Sequence, residues 1–273
     1  MNLDAYLARI GCSGNPRVDL TTLKEIHRQH LLSVSYENID VQLGISGSTT
    51  TESAYNKIVL EGRGGWCYEM NGLLGWALAE IGFPVTRVCG GVARSLKGDS
   101  VLGNHLVLLT ELAGSTWVVD TGFGDGIFEP IPLIEHTFNQ RGFDFKLGKS
   151  EDGYWRLENH RFGGAPSFDF STEPASEGLL SSQCNYLQKD EQSPFVLALI
   201  CQRFVDYGYE TQLGRVAKKI KPTGIESRLI NSADELVERL HDTFDLTVPE
   251  VAELWPGIVE RHNTLFTNRE RAS

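Results

Sequence analysis

The sequence predicts an α+β protein in three parts: a helical bundle over residues 1–84, an antiparallel β segment over 85–190 and a mixed α/β segment over 191–273. Two observations carry this. Up to Pro84, apolar residues recur at helical spacing; from Val85 they come in short strand-like runs separated by glycine-containing turns. After about residue 190 both patterns occur side by side. The 273 residues are 41% hydrophobic and 22% charged, with 28 Gly and 10 Pro, which is a globular rather than a disordered composition. A chain of this length can bury a substantial core.

Leu3, Tyr6, Leu7 and Ile10 mark a first helix, with Gly11 as its stop. A second runs from about Leu20 through Leu23, Ile26, His27 and Leu31, with Asp19 as its cap and Pro16 in the preceding turn. Residues 33–47 show no clean helical period, and Thr51 or Ser53 opens a short helix around 55–60. The strongest helix follows Gly64-Gly65-Trp66. Met70, Leu73, Leu74, Ala77, Leu78 and Ile81 form one apolar face, and Gly82 with Pro84 ends it.

Strands are predicted at Val85-Thr86-Arg87-Val88-Cys89, His105-Leu106-Val107-Leu108-Leu109, Thr116-Trp117-Val118-Val119-Asp120, Phe143-Asp144-Phe145-Lys146-Leu147 and Tyr154-Trp155-Arg156-Leu157. Pro194 opens a helical run over 195–204. Two short strand-like pieces, 209–216 and 217–221, then precede a helix over 234–240 capped by Ser232. A last helix lies within 248–261, around Val251, Leu254 and Val259.

The net charge of −11 argues against a nucleic-acid-binding surface over the whole protein. Lys218, Lys219 and Lys221 read as a surface strand, with phosphate contact as the alternative. The longest apolar runs, such as Phe195-Val196-Leu197-Ala198-Leu199-Ile200-Cys201, fall short of the roughly 20 residues that span a bilayer, and the first twelve residues hold no signal-peptide core. The expectation is a cytoplasmic protein with no membrane partner. Cys12, Cys67, Cys89, Cys184 and Cys201 are odd in number and widely spaced, so neither a disulfide framework nor a cysteine zinc site is expected. His27-x-x-His30 offers two metal ligands without a third and reads as a solvated helix face; no metal is expected. A P-loop, a dinucleotide fingerprint and a G-x-S-x-G serine motif are absent.

Cys67 is the cysteine placed for chemistry. It opens the strongest helix, whose dipole and free N–H groups lower a thiol's pKa, and the Gly64-Gly65 pair before it would admit a reacting carbonyl. Its base is sought among seven histidines. His105 stands in an otherwise apolar strand, and the next strand ends in Asp120. A two-residue hairpin loop at Ala113-Gly114 places Val107 opposite Asp120 and makes His105 its diagonal neighbour on the same face, about 7–8 Å away between Cα atoms. A four-residue loop does the same, whereas a three-residue loop puts the two on opposite faces. Two readings stay open on spacing alone: a Cys67–His105–Asp120 triad, or a satisfied core His–Asp pair beside an unrelated cysteine.

The segment Arg63-Gly64-Gly65-Trp66-Cys67-Tyr68-Glu69-Met70-Asn71 resembles the active-site motif of the arylamine N-acetyltransferase family. Tyr6-Leu7-Ala8-Arg9-Ile10-Gly11, Tyr36-Glu37-Asn38-Ile39-Asp40, Asn104-His105, Asp120-Thr121-Gly122-Phe123-Gly124, and Asn185-Tyr186 with Ser193-Pro194-Phe195 are similar to further family motifs, in the right order over nearly the whole chain. Gln188-Lys189-Asp190 departs from a segment that is Ser/Thr-rich in the family. The resemblance implies a helical bundle, a central antiparallel β-barrel and an α/β lid, the first two forming a cysteine-protease-like core. It implies acetyl transfer from acetyl-CoA to aromatic amines and hydrazines, and O-acetylation of N-hydroxyarylamines, with acetyl-CoA as donor substrate and no permanently bound cofactor. By the same resemblance Cys67, His105 and Asp120 are catalytic, and Glu37 and Arg63 form an ion pair behind the nucleophile. Tyr36, Trp66, Tyr68 and Phe123 are expected to line the acceptor pocket, and Gly124 and Gly126 the mouth that admits the pantetheine arm. A cysteine protease or a transglutaminase-like enzyme is the alternative use of the same three residues.

Overall fold

The computed structural model describes residues 1–270, with side chains through 264. Helices α1 (Leu3–Arg9) and α2 (Leu20–Ser33) come first, then strand β1 (Tyr36–Glu37) and helices α3 (Ile39–Gln42) and α4 (Thr51–Tyr55). A π-helical turn, Asn56–Leu60, leads on to α5 (Cys67–Ile81). The predicted signals act as expected at both ends of this region. Asp19 accepts the Thr22 amide to cap α2, and Gly82 closes α5 in the left-handed conformation at φ 109°.

Strands β2 (Val85–Val92), β3 (His105–Leu112), β4 (Ser115–Val119), β5 (Ile131–Pro132), β6 (His136–Gln140), β7 (Phe143–Lys149), β8 (Trp155–Glu158) and β9 (Ser167–Phe170) make one curled antiparallel sheet. Its order is β5-β4-β3-β2-β9-β8-β7-β6, and helix α6 (Arg94–Lys97) sits between β2 and β3. The β3–β4 turn is the two-residue loop: Leu112 pairs with Ser115, and Ala113 and Gly114 both have positive φ, 53° and 78°. Positive φ at both central residues matches the twist of the strands it joins.

Beyond the sheet come α7 (Glu177–Lys189), α8 (Pro194–Leu197), strands β10 (Ile200–Val205), β11 (Gly208–Leu213), β12 (Val216–Lys221) and β13 (Gly224–Leu229), then α9 (Ala233–Phe244), a 3₁₀ turn (Pro249–Leu254) and α10 (Trp255–Glu270). The second sheet has the order β1-β10-β11-β12-β13, so the first and last stretches of the chain share it.

Several elements depart from expectation: β1, β5, β6, β9 and β13 lie outside the predicted strands, and the first part of the expected helix within 248–261 is the 3₁₀ turn Pro249–Leu254. Two stretches change type. The predicted helical run over 195–204 stops at Leu197, and Ile200–Val205 is a strand. A continuous apolar run has no period to separate the two forms, and tertiary bonds decide. The Asn38 side chain bonds the Phe195 and Ala198 carbonyls and the Ile200 amide, which ends the helix and starts the strand. Residues 177–189, assigned to the β segment, form α7. Ser176 caps it, and Leu180, Cys184 and Leu187 are its buried stripe.

Helix α5 is the hub of the main core. Met70, Leu73, Leu74, Ala77 and Leu78 are all at most 1% exposed and pack with Tyr6, Ile10, Leu23, Ile26, Leu106, Leu108 and Val119. Each such leucine contributes about 1.5–3 kcal/mol by leaving water. A Cβ at Gly75 would lie 3.1 Å from Leu108 Cδ2, so helix and β3 approach closely at this point. That approach sets the start of α5 against the start of β3, and these two ends carry Cys67 and His105.

Candidate active site

Cys67 is 3% exposed, and its Sγ lies 3.8 Å from the Asn104 carbonyl oxygen. Burial pushes the thiol's pKa well up, with Cys184 adding to it; hydrogen bonds from the Leu106 and Tyr68 backbones pull the other way without overcoming it. The helix start alone therefore does not produce the lowered pKa that its position led us to expect.

Two of those contacts, Asn104 and Leu106, flank His105. Its Nε2 is 2.7 Å from Asp120 Oδ2. A carboxylate only accepts, so Nε2 carries the proton and Nδ1 is left with its lone pair. The ring packs with Phe168 (centroids 4.9 Å apart) and Phe123 (5.7 Å), which also contact each other at 4.9 Å. Its cross-strand partner is Gly90, where a Cβ would sit 3.2 Å from the imidazole Cδ2.

Asp120 is held from four sides. Its Oδ1 accepts Asn71 Nδ2 and the Gly122 amide, each at 2.8 Å. Its backbone oxygen is 3.1 Å from His27 Nε2, and the other nitrogen of that ring is 3.1 Å from the Phe128 carbonyl. Asn71 also donates to the Leu106 carbonyl at 2.6 Å and accepts the Thr121 amide at 2.8 Å. It stands one turn after Cys67, so a single helix face carries the Cys67 thiol and a clamp on Asp120. A polar residue four positions from Cys67 in an apolar pattern was the available signal for it.

His27 and His30 are not a solvated face. Both are 0% exposed, and the helical period that places Leu23, Ile26 and Leu31 inward places them inward too. Burial drops the His27 pKa to about 4 and the His30 pKa to about 3. His30 Nδ1 is 2.9 Å from the Tyr6 hydroxyl. Among the described residues no His/Cys/Asp/Glu group could hold a metal.

Gly64 makes room for the chain's own backbone and Gly65 for the Glu69 and Ile58 side chains, not for a reacting carbonyl. A Cβ on Gly64 would fall 2.2 Å from the Ser35 oxygen, and Glu37 and Gly65 are bonded amide to carbonyl at 2.9 Å. Behind Cys67 lies a buried ion cluster. Arg63 bonds Glu37 (3.0 Å) and Asp40 (2.8 Å). Lys57 bonds Asp40 (2.8 Å) and Glu69 (3.0 Å). Three carboxylates share two cations. Burial leads in raising the Glu69 pKa to about 7, while the same carboxylates more than offset the burial of Lys57 and raise its pKa. Glu69 Oε2 also accepts the Trp66 amide at 3.2 Å, so the cluster caps the helix that presents Cys67.

The expected pocket residues divide. Tyr36 lies over Gly124, whose added Cβ would be 3.5 Å from Tyr36 Cγ; burial pushes the pKa of its phenol well up, and the nearby Cys67 adds to this. Phe123 is half-buried beside His105, and a Cβ added at Gly126 would fall 3.0 Å from its Cδ1. Trp66 and Tyr68 stack edge to face at 5.2 Å, but Trp66 continues onto Phe195 and borders the ion cluster, and the Tyr68 hydroxyl is committed to the Gly103 carbonyl at 2.7 Å. Lys219 and Lys221 face Glu210 and Glu226. A cleft of about 520 Å³ along β6 and β7, lined by Thr137, Phe138 and Lys146 among others, contains none of the three catalytic candidates.

Residues 19–253 match a family model described as N-acetyltransferase. The arylamine N-acetyltransferase of Mycolicibacterium smegmatis is 32% identical over 259 residues, spanning 92% of this chain and 94% of that protein. The structure of the Mycobacterium marinum arylamine N-acetyltransferase in complex with CoA aligns at a TM-score of 0.83 and 28% identity, covering 92% of this chain and 94% of that one. The enzyme from M. tuberculosis aligns at a TM-score of 0.85 and 26% identity, over 96% and 100%. No described helix is long and apolar enough to cross a membrane.

Proposed function

From the premise that the chain belongs to the arylamine N-acetyltransferase family, we propose that it carries an acetyl group from acetyl-CoA to aromatic amines and hydrazines through an acetyl-Cys67 intermediate, in two half-reactions. The observation that carries this is the 2.7 Å His105–Asp120 bond beside the thiol at the start of α5.

Burial disfavours a lone thiolate at Cys67. Transfer of the Sγ proton to His105 Nδ1 leaves the pair's net charge at zero, and Asp120 supports the imidazolium. The penalty is therefore smaller than for loss of the proton to water. The thiolate attacks the acetyl carbonyl of the thioester. As the tetrahedral adduct collapses, the C–S bond to CoA breaks and His105 returns the proton to the departing sulfur. In the second half-reaction the amine nitrogen attacks acetyl-Cys67 and His105 takes its N–H proton. Cys67 then leaves and is reprotonated. The same chemistry serves the oxygen of an N-hydroxyarylamine. Tyr36 and Phe123 supply aromatic faces for the acceptor ring.

Incubation with acetyl-CoA and no amine should add one acetyl group, on Cys67, as read by intact and peptide mass spectrometry. Cys67→Ala should abolish both this label and turnover. Acetyl-CoA-dependent turnover in Cys67→Ala would refute the mechanism, and peptide hydrolysis or cross-linking without acetyl label would favour a protease or transglutaminase.

A further inference from the structure

Gly122 packs against the nucleophile: a Cβ there would fall 2.7 Å from Cys67 Cα. The loop that begins at Gly122 is thus the wall of the site. Two residues on, Gly124 has a φ of 86°, and a Cβ there would fall 1.8 Å from Gln202 Oε1. The Gln202 carboxamide therefore lies on the bare face of Gly124. It is held there by strand register, because Gln202 on β10 pairs with Tyr36 on β1. Cys67, Gly124 and Tyr36 are buried, whereas Gln202 and Phe123 are the half-exposed members of this group. They mark where the site meets solvent.

The neighbouring Asp125 decides which end of Gln202 faces Gly124. Asp125 is 3% exposed and takes only neutral donors: the Gly164 amide at 2.6 Å, Asn159 Nδ2 at 3.0 Å and the Gln202 side chain. A carboxylate accepts, so the NH₂ group of Gln202 turns towards it. Oε1 then lies over Gly124, and no donor reaches it among the described residues. The mouth of the site thus presents one oriented amide oxygen in search of an N–H group.

We propose that Gln202 binds the acyl donor by accepting a hydrogen bond from an amide N–H of its pantetheine arm, with Asp125 as the positioning residue that fixes the carboxamide. This deepens the acetyl-CoA reading and rests on it. Pantetheine carries secondary amides, and a neutral hydrogen bond of this kind discriminates about three- to tenfold.

The test compares two donors in the full chain: acetyl-CoA, and 4-nitrophenyl acetate, an activated ester with no amide arm. Gln202→Ala should raise the KM for acetyl-CoA about three- to tenfold relative to the KM for the ester, with kcat for acetyl-CoA little changed. Asp125→Asn, similar in size, should shift the same ratio in the same direction, because its amide no longer dictates the orientation of Gln202. An equal rise for both donors would overturn the proposal and leave Gln202 as a wall of the Cys67 pocket. A wild-type chain acetylated by the ester but not by acetyl-CoA would instead overturn the donor reading itself.

Discussion

Replacing Asp120 by Asn tests the proton path without emptying the site, and the structure fixes how the new side chain must sit. Oδ1 of Asp120 receives two donors, Asn71 Nδ2 and the Gly122 amide, while Oδ2 receives one, His105 Nε2. An asparagine oxygen turned to the pair satisfies two donors; turned to His105, it would set its NH₂ against both. The oxygen therefore faces Asn71 and Gly122, and the NH₂ faces His105. Nε2 must then accept, which moves the ring proton to Nδ1, the nitrogen needed to take the Cys67 proton. A triad whose imidazole is locked in the wrong tautomer loses on the order of 10⁴ in kcat, about 5.5 kcal/mol. Because size and two of three bonds are kept, the melting temperature should move by only a few degrees. The assay is single-turnover acetylation of Cys67, followed by mass from milliseconds to hours, alongside a thermal melt. A rate within tenfold of wild type in a folded Asp120→Asn would refute the assignment of Asp120.

Two further predictions follow from packing and burial. Gly122→Ala places a Cβ 2.7 Å from Cys67 Cα and 2.9 Å from its carbonyl oxygen, so the helix start must shift; we expect a loss of about 1–3 kcal/mol in denaturant melts together with a large fall in acetylation rate, and an unchanged rate would contradict the contact. Burial depresses the pKa of His27 to about 4 and of His30 to about 3, below the unfolded value of about 6.5, so the unfolded chain binds more protons between these limits and stability is lost as pH falls through that window. Each histidine contributes on the order of 3 kcal/mol to that loss. Glu69, raised to about 7, acts in the opposite sense, gaining stability as pH falls from 7 towards its unfolded value. Asp125, raised to about 6 by burial, acts like Glu69, and His160, lowered to about 4, acts like the other two histidines. Three histidines outweigh two carboxylates, so urea midpoints should fall from pH 6.5 to 4.5; a rise over that range would refute the assignment.

Parts of this arrangement could be read from local pattern, and parts could not. Helix α5 was legible because six apolar positions share one face and Gly82 supplies a left-handed stop. The His105–Asp120 contact was legible because a two-residue loop fixes strand parity, and Ala113-Gly114 does form that loop. Where pattern ran out, long-range bonds decided. The 195–201 run is apolar throughout, and Asn38, some 160 positions away, bonds both sides of the break between α8 and β10. Histidine in the inward stripe of α2 was read by its polarity rather than its position, although the period already placed it inside.

The residues least legible in sequence are those whose role depends on register between distant strands. Gln202 has no motif of its own; it matters because β10 pairs with a two-residue strand, Tyr36–Glu37, too short to show alternation. That short strand links the chemistry to the rest of the fold. Tyr36 faces the site, while Glu37 next to it enters the ion cluster that caps α5. Successive residues of a strand point to opposite sides, so one dipeptide joins the donor mouth at Gln202 to the helix start at Cys67. A shift of one residue in the β1–β10 pairing would bury Tyr36 among the carboxylates and leave Arg63 and Lys57 without Glu37. The slip would also take the fully buried Glu37 carboxylate from both of its cations, and that cost, several kcal/mol, holds the register that presents Gln202 to the site.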